Sequence, residues 1–542
     1  MKNGLCMRVT RTVLFLMIGI IIAGVPVFAG GRAEAPAPVE DLMVIGVPNE
    51  PNSLDPHLFT SRLARKVGYL IYDPLVMQHP ETLEYVPSLA TSWEVSDDGL
   101  TWTFRLRNDV VFHNGDPLTA HDVKFTYERI LDPATNATYA LDDIGPLDSV
   151  EVIDDHTFRL HYRQPYAPLL HYMSLGQLQP MSRRAIEEAG ADFGTAPFGA
   201  GTGPFEFVEW RSGQDITLRR NENYNWGPSD IYDNTGPVGL PGVEVRIIPD
   251  VEVSTLGMLT GELDAVDFLP DRDVQTLYDD PDIIMNQVHL PGMGLYSAFN
   301  INNPPFDDVN VRRAANHAVD KEAIIDTVKL GNATVGHGPI PFFFHGFYEE
   351  LEDYYPYDPA RANRILDEAG WVMGADGVRS KDGVRLSGLT IVRQRDDYIQ
   401  TAQMIQEMFS EVGIEIELQI LEWGTLLDAI FAGQHNYTFM GHGHGESDVM
   451  YTLFHSVNIG GFNLAHVSDP DLDELIELQR VTPDLDERAE ILKEIQRIVM
   501  MEKVLWIPIY NDIQYWPSNA RIDGVMVHPN GWFMLNDATF AN

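Results

Sequence analysis

Between Met404 and Ile420 the chain reads MIQEMFSEVGIEIELQI, and its apolar period changes from that of a helix to that of a strand across a single glycine. Met404, Ile405, Met408 and Phe409 recur at helical spacing, so one stripe of the helix faces a core. Gly413 supplies the left-handed turn that closes a helix. Ile414, Ile416, Leu418 and Ile420 then alternate with Glu415, Glu417 and Gln419, the pattern of a half-buried strand. A helix feeding directly into a strand buries both apolar faces only in a layered α/β arrangement. That constraint excludes an all-helical bundle and an all-β sandwich.

The same punctuation recurs elsewhere. LMVIGVP, from Leu42, reads as a buried strand, followed by a loop governed by prolines. Trp102, Phe104 and Leu106 alternate with polar neighbours; Asn114-Gly115-Asp116 marks a turn; Thr119 is placed to cap a helix through Val123 and Tyr127. In YDPARANRILDEAG, Asp358-Pro359 opens a helix and Gly370 closes it, and in SDPDLDELIEL the cap is Ser468 or Asp469 with Pro470 in the first turn. At 542 residues the chain exceeds what one core supports, so several α/β units are expected.

The N-terminus carries Lys2, Arg8 and Arg11, then an apolar run from Val13 to Phe28 ending in Val27-Phe28-Ala29. This is the pattern of a secretory signal over residues 1–29, with cleavage after Ala29; a retained anchor is the alternative. Residues 30–41 read as a linker rich in Ala and Pro. The only cysteine, Cys6, lies inside the signal, so the exported chain has no disulfide and no thiolate nucleophile or ligand. With 80 acidic against 37 basic residues and a formal net charge of −43, the surface repels nucleic acids and anionic lipids. Only eight of the basic residues are lysines.

Catalytic signatures are missing: no G-x-S-x-G elbow, no phosphate loop, no H-E-x-x-H. GAGTGPF, residues 199–205, lacks the third glycine of a nucleotide fingerprint and reads as a tight turn entering a strand. Trp423 follows the strand 414–420 at the end where α/β folds bind ligands, and offers a flat aromatic wall. Arg393 and Arg395, beside the helix before Gly413, present guanidinium forks suited to a carboxylate. MGHGHGESD, Met440 to Asp448, sets His442 and His444 among glycines ahead of Glu446 and Asp448, residue types that can ligate zinc or nickel or line a binding cleft.

PSLATSWEVSDDGLTWTFRLRNDVVFHNGDPLTAHDVKFTYERI, GTGPFEFVEW with RRNENY, PPFDDVNVRRAANHAVDKEAII, and YTLFHS with FNLAHVSDPDLDELI occur in that order. Together they resemble the family 5 extracellular solute-binding proteins of ATP-driven (ABC) importers of peptides, oligopeptides and nickel. The resemblance implies an α/β periplasmic-binding-protein type II clamshell of three domains: domain I from 42–65, 190–285 and 508–542, domain II from 66–189, domain III from 286–507. It implies a hinge at the strands in LPGMGLYSAFN and VLWIPIYND, a monomer located in the periplasm or otherwise outside the cytoplasm, and an ABC permease as partner. It implies no cofactor and no catalysis.

Residue by residue, the resemblance implies that Phe59-Thr60-Ser61 touches ligand backbone, that Arg393 or Arg395 meets a ligand carboxylate, and that Trp423 of Glu422-Trp423 lines the site. Dipeptide binders hold the ligand amine with an aspartate in Gly-Trp-x-Gly-Asp. Here His442 stands at the tryptophan and Gly445 at the aspartate, leaving Glu446 or Asp448 as the nearby anion. An oligopeptide or related small solute is therefore the expected ligand. A nickel or metal-chelate receptor using His442 and His444 is the alternative within the family, and an exported hydrolase or a ligand sensor for a membrane kinase the alternatives outside it.

Overall fold

The computed structural model describes residues 41–290, 292–442 and 447–541. The expected signal and the linker up to residue 40 lie outside them, as do His444 and Glu446. Among the described residues no helix is long and apolar enough to cross a membrane.

A mixed sheet of 12 strands forms the spine. One half runs through Glu415–Leu421, Ser387–Arg393, Tyr437–His442 and Met293–Phe299; the other runs through Ala265–Val266, Met43–Val47, Gly242–Ile247, Asp215–Arg220 and Phe205–Arg211. The 14-residue strand Trp506–Asn519 lies between them. Its first residues pair with Met293–Phe299, its middle with Ala333–Val335, and residues 513–519 with Ile283–His289, all antiparallel. One continuous backbone therefore supplies hydrogen bonds to both halves.

Local chemistry explains the elements. Asp396–Glu411 is a helix, Gly413 takes φ +82°, and Glu415–Leu421 pairs in parallel with Ser387–Arg393. The expected alternation fades along this edge strand: Ile416 is buried at 3%, Leu418 half-buried, and Ile420 is 45% exposed. An edge strand has a neighbour on one side only, so its outer end lacks cover. Helix Pro359–Glu368 is capped by Asp358 and Pro470–Val481 by Asp469, resolving the choice with Ser468.

A separate four-stranded antiparallel sheet, in the order Ala90–Val95, Thr101–Leu106, Thr157–Tyr162, Leu147–Asp154, holds Trp102, Phe104 and Leu106 on its buried face. Phe104 stacks on Phe158 with centroids 5.2 Å apart. Beyond the turn, where Gly115 has φ +83°, the Asp122 carboxylate accepts the Thr119 backbone N–H at 3.0 Å and its hydroxyl at 2.8 Å, starting helix Ala120–Leu131. GAGTGPF is a tight turn into Phe205–Arg211, as expected; a Cβ on Gly201 would lie 1.9 Å from the Ile71 carbonyl oxygen.

The buried apolar residues fall into groups that follow these sheets. One lies about the four-stranded sheet, with Tyr224 and Trp226 added from far along the chain. A second joins Met43, Ile45, Val67, Leu70, Val243 and Trp516. Two more fill the half of the large sheet that carries Met293–Phe299. Helix Arg62–Ile71 packs with the second group, against strand Phe205–Arg211.

Gly294 sits where Met293–Phe299 meets the long strand, and a Cβ there would lie 2.0 Å from the Tyr510 carbonyl oxygen and 2.6 Å from the Asn511 Cα. Both obstacles are backbone, so Gly294→Ala is expected to cost about 2–3 kcal/mol of unfolding free energy, read from denaturant titration. Acid should also weaken the fold. His435 and His528 are buried, and the Nε2–H of each donates to a carbonyl, of Leu464 and Gln78, at 2.9 Å. Burial pushes both imidazoles down to about 4, the carbonyl bonds offsetting this only in part. The unfolded chain, with histidines near 6.5, binds more protons between that pH and 4, so stability falls as pH drops through this window. Melting temperatures measured from pH 7 to 4.5 should decline, and less steeply in His528→Gln.

Candidate functional site

Two adjoining cavities open beside the long strand. The larger, about 590 Å³, is lined by Lys66, Asp267, Lys329, Arg395, Asp397 and Asp512 among others. The smaller, about 180 Å³, is lined by Gly294, Arg393, Tyr398, Gly441, His442 and Tyr510 among others. Arg62, Leu290, Arg395 and Asp512 line both. Walls thus come from helix Arg62–Ile71, from the segment after Ala265–Val266, from the start of helix Asp396–Glu411 and from the long strand itself. The larger volume is that of a small-molecule site.

Apart from Arg62, the cations of the larger cavity are paired. Lys66 binds Asp267 and lies over the Trp516 ring, 3.9 Å from its centroid. Burial pushes this ammonium down to about 8, against the pull of Asp267. Lys329 bridges Asp271 at 2.7 Å and Asp512 at 3.0 Å. Burial opposes its charge, but the two carboxylates raise its pKa above the ordinary lysine value. Arg395 forks onto Asp397, with Nε 2.6 Å from the carboxylate, and lies over Tyr398 at 4.5 Å. Burial alone would raise the Asp397 pKa; hydrogen bonds from Arg395, its charge and that of Lys329 hold it below the usual value.

The expected site residues distribute unevenly. Arg393, Arg395 and His442 line the smaller cavity. Arg393 lies over Trp423, the first residue of helix Trp423–Phe431, with its guanidinium carbon 4.4 Å from the ring centroid, and Trp423 stays 36% exposed. Where Arg395 is committed to a carboxylate, Arg393 rests on an aromatic face and makes no ion pair among the described residues. The ring of His442 is 3.1 Å from the Tyr296 hydroxyl through Nδ1 and meets Phe462 edge-on at 4.9 Å. Among the described residues no three His, Cys, Asp or Glu side chains are grouped to hold a metal ion.

Phe59, Thr60 and Ser61 form the approach to the helix that bears Arg62. Phe59 is fully buried against Gly68, the Thr60 N–H donates to the Asn52 side chain at 3.1 Å, and Ser61 caps the helix by accepting the Ala64 N–H at 3.1 Å. None of the three lines either cavity. Asp448, 8% exposed, is held by Gln479 Nε2 and Arg480 Nε, both at 2.9 Å. Its carboxylate is thereby engaged within the half of the molecule that carries it.

Arg62, Lys66, Asp267, Lys329 and Asp512 were not singled out from the sequence. One signal pointed to two of them: lysine is rare here, and Lys66 and Lys329 are two of eight. Nothing local marks the others, because their partners lie far along the chain.

The model of the bacterial extracellular solute-binding proteins, family 5, matches residues 84–461. The chain belongs to this family. Among curated relatives, the heme-binding protein A of Haemophilus influenzae is 29% identical over 486 residues, covering 85% of each chain. The dipeptide-binding protein of Escherichia coli is 27% identical, covering 95% of this chain and 96% of its own. The solved structure of HbpA2 from Haemophilus parasuis superimposes with a TM-score of 0.82 at 24% identity, over 93% of this chain and all of that one, a likeness of fold. The architecture of this family 5 protein is accordingly that of the multi-domain α/β periplasmic binding proteins, in the type II clamshell arrangement.

Proposed function

We propose that this protein is the exported receptor of an ATP-driven importer, which binds a short peptide or related amide-bearing solute between two lobes and delivers it to a membrane permease. The observation that carries the reading is the position of the two cavities astride the strand Trp506–Asn519, with walls from both halves of the sheet that strand joins. A solute bound there contacts both halves at once, so its binding energy favours their closure. The name of the Escherichia coli relative supports a peptide as the solute.

In this reading domain I comprises 42–65, 190–285 and 508–542, domain II 66–189 and domain III 286–507, with helix Arg62–Ile71 packed on the first. The separate core groups support three units, with Val67, Leu70, Met181 and Ala185 of 66–189 packed in the group of domain I and Tyr224 and Trp226 of 190–285 in that of domain II. The protein works as a monomer in the periplasm or an equivalent space outside the cytoplasm, and it binds without turnover. The N-terminal pattern of charge, apolar run and Ala29, together with a chain whose one cysteine is Cys6, supports export. Arg393 receives the ligand carboxylate, Trp423 stiffens it from below, and Arg395 orients Asp397. His442, held by the Tyr296 hydroxyl, sets selectivity together with His444 and Glu446.

Calorimetric titration with a peptide library is expected to give saturable binding of peptides bearing a free C-terminal carboxylate. Arg393→Ala should weaken this by about 30-fold or more, the worth of a charge-assisted bidentate contact, while leaving affinity for C-terminally amidated peptides unchanged. Absence of binding by any peptide, with tight binding of a different solute, would overturn the peptide assignment. Small-angle scattering should record a smaller radius of gyration on adding a bound peptide, the mark of lobe closure.

A further inference from the structure

Four cations line the larger cavity, Arg62, Lys66, Lys329 and Arg395, against four carboxylates. Lys66 takes Asp267, Lys329 takes both Asp271 and Asp512, and Arg395 takes Asp397. Arg62 is left over. Its guanidinium reaches only the Asn530 carbonyl oxygen, at 3.5 Å, and it makes no ion pair among the described residues. Desolvation and the charge of Arg65 lower its pKa while Asp267 and Asp512 act in the other direction, and the side chain stays exposed to solvent. The smaller cavity shows the same excess: Arg62, Arg393 and Arg395 face a single carboxylate, Asp512, in a chain where acidic residues outnumber basic ones by more than two to one.

We propose that Arg62 is a specificity-determining residue and that the solute carries two negative groups: a terminal carboxylate for Arg393, and an acidic side chain for Arg62. The inference rests on the peptide reading above and names the class of peptide. Arg62 begins the helix that shares a core with the half-sheet of Met43–Val47, whereas Arg393 ends a strand of the opposite half. Two unpaired guanidinium groups on opposite walls repel as a cleft narrows, and an anion held by each removes that cost. A planar guanidinium binds a carboxylate through two parallel N–H bonds, so each anion is oriented as well as neutralised. An acidic peptide thus favours closure where its uncharged twin does not.

The test is calorimetry on the purified protein with di- and tripeptides in matched pairs that differ only as Glu against Gln. The wild-type protein is expected to bind the Glu member about tenfold or more tightly, a preference that shrinks with added salt. Arg62→Gln should abolish the preference and bind the Gln member at least as tightly as the wild-type protein does, because the repulsion is gone, Arg62→Lys should retain part of the preference, and Arg393→Gln should weaken the Glu member. Equal binding of the two members by the wild-type protein, or an undiminished preference in Arg62→Gln, would overturn this proposal alone. Binding of neither member of any pair would overturn the peptide reading and this proposal with it.

Discussion

The antiparallel pairing of Trp506–Asn519 with both halves of the large sheet is the interaction on which the rest of the molecule depends. A strand of 14 residues is far longer than the five or six that are usual. The extra length lets the chain leave one half-sheet and enter the other without a loop. Its buried rings anchor it at each end: Trp506 stacks on Tyr296 with centroids 3.6 Å apart, and Trp516 meets Phe533 edge-on at 4.7 Å. Between those anchors lie Tyr510 and Asp512, where the strand changes partners and borders the cavities. The same backbone that joins the halves therefore forms the floor of the candidate site.

Electrostatics inside the cleft run against those of the surface. The exterior of so acidic a chain repels anions at long range, but salt screens that field within about 10 Å. Within the cleft, pairing decides. Lys329 holds Asp271 and Asp512 together, tying the segment after Ala265–Val266 to the long strand, and on the opposite wall Arg395 is neutralised by Asp397. What remains uncompensated is guanidinium: Arg62 on one wall, and Arg393 on Trp423 on the other. A planar cation on an aromatic face is held in place while its fork edge stays open for a carboxylate.

Much of the local architecture was legible along the chain. The switch of period at Gly413, the capping of Ala120–Leu131 by Thr119 and Asp122, the Asp358-Pro359 start and the turn in GAGTGPF all appear where their residues imply. Part of the candidate site was legible as well, since Arg393, Arg395 and His442 line one cavity and Trp423 lies under Arg393. The Phe59-Thr60-Ser61 stretch shows where such reading stops. Its neighbours in sequence do reach the cavity, through Arg62, but Phe59 is drawn into the core against Gly68 and Ser61 is spent as a helix cap. Asp448 shows the same limit, its carboxylate turned toward Gln479 and Arg480.

The sequence by itself determined the elements, their caps and turns, the family, and the alternation that makes the fold α/β, because these follow from residues within a few positions of one another. Only the tertiary structure decided which charges are spent and which are free. Lys66 meets Asp267 across 201 positions, Lys329 meets Asp512, and Asp264 is claimed by Arg521 across 257. Arg62 is identical in kind to the other arginines as text. It stands apart because, among the described residues, folding gives Lys66, Lys329 and Arg395 carboxylate partners and gives Arg62 no ion pair.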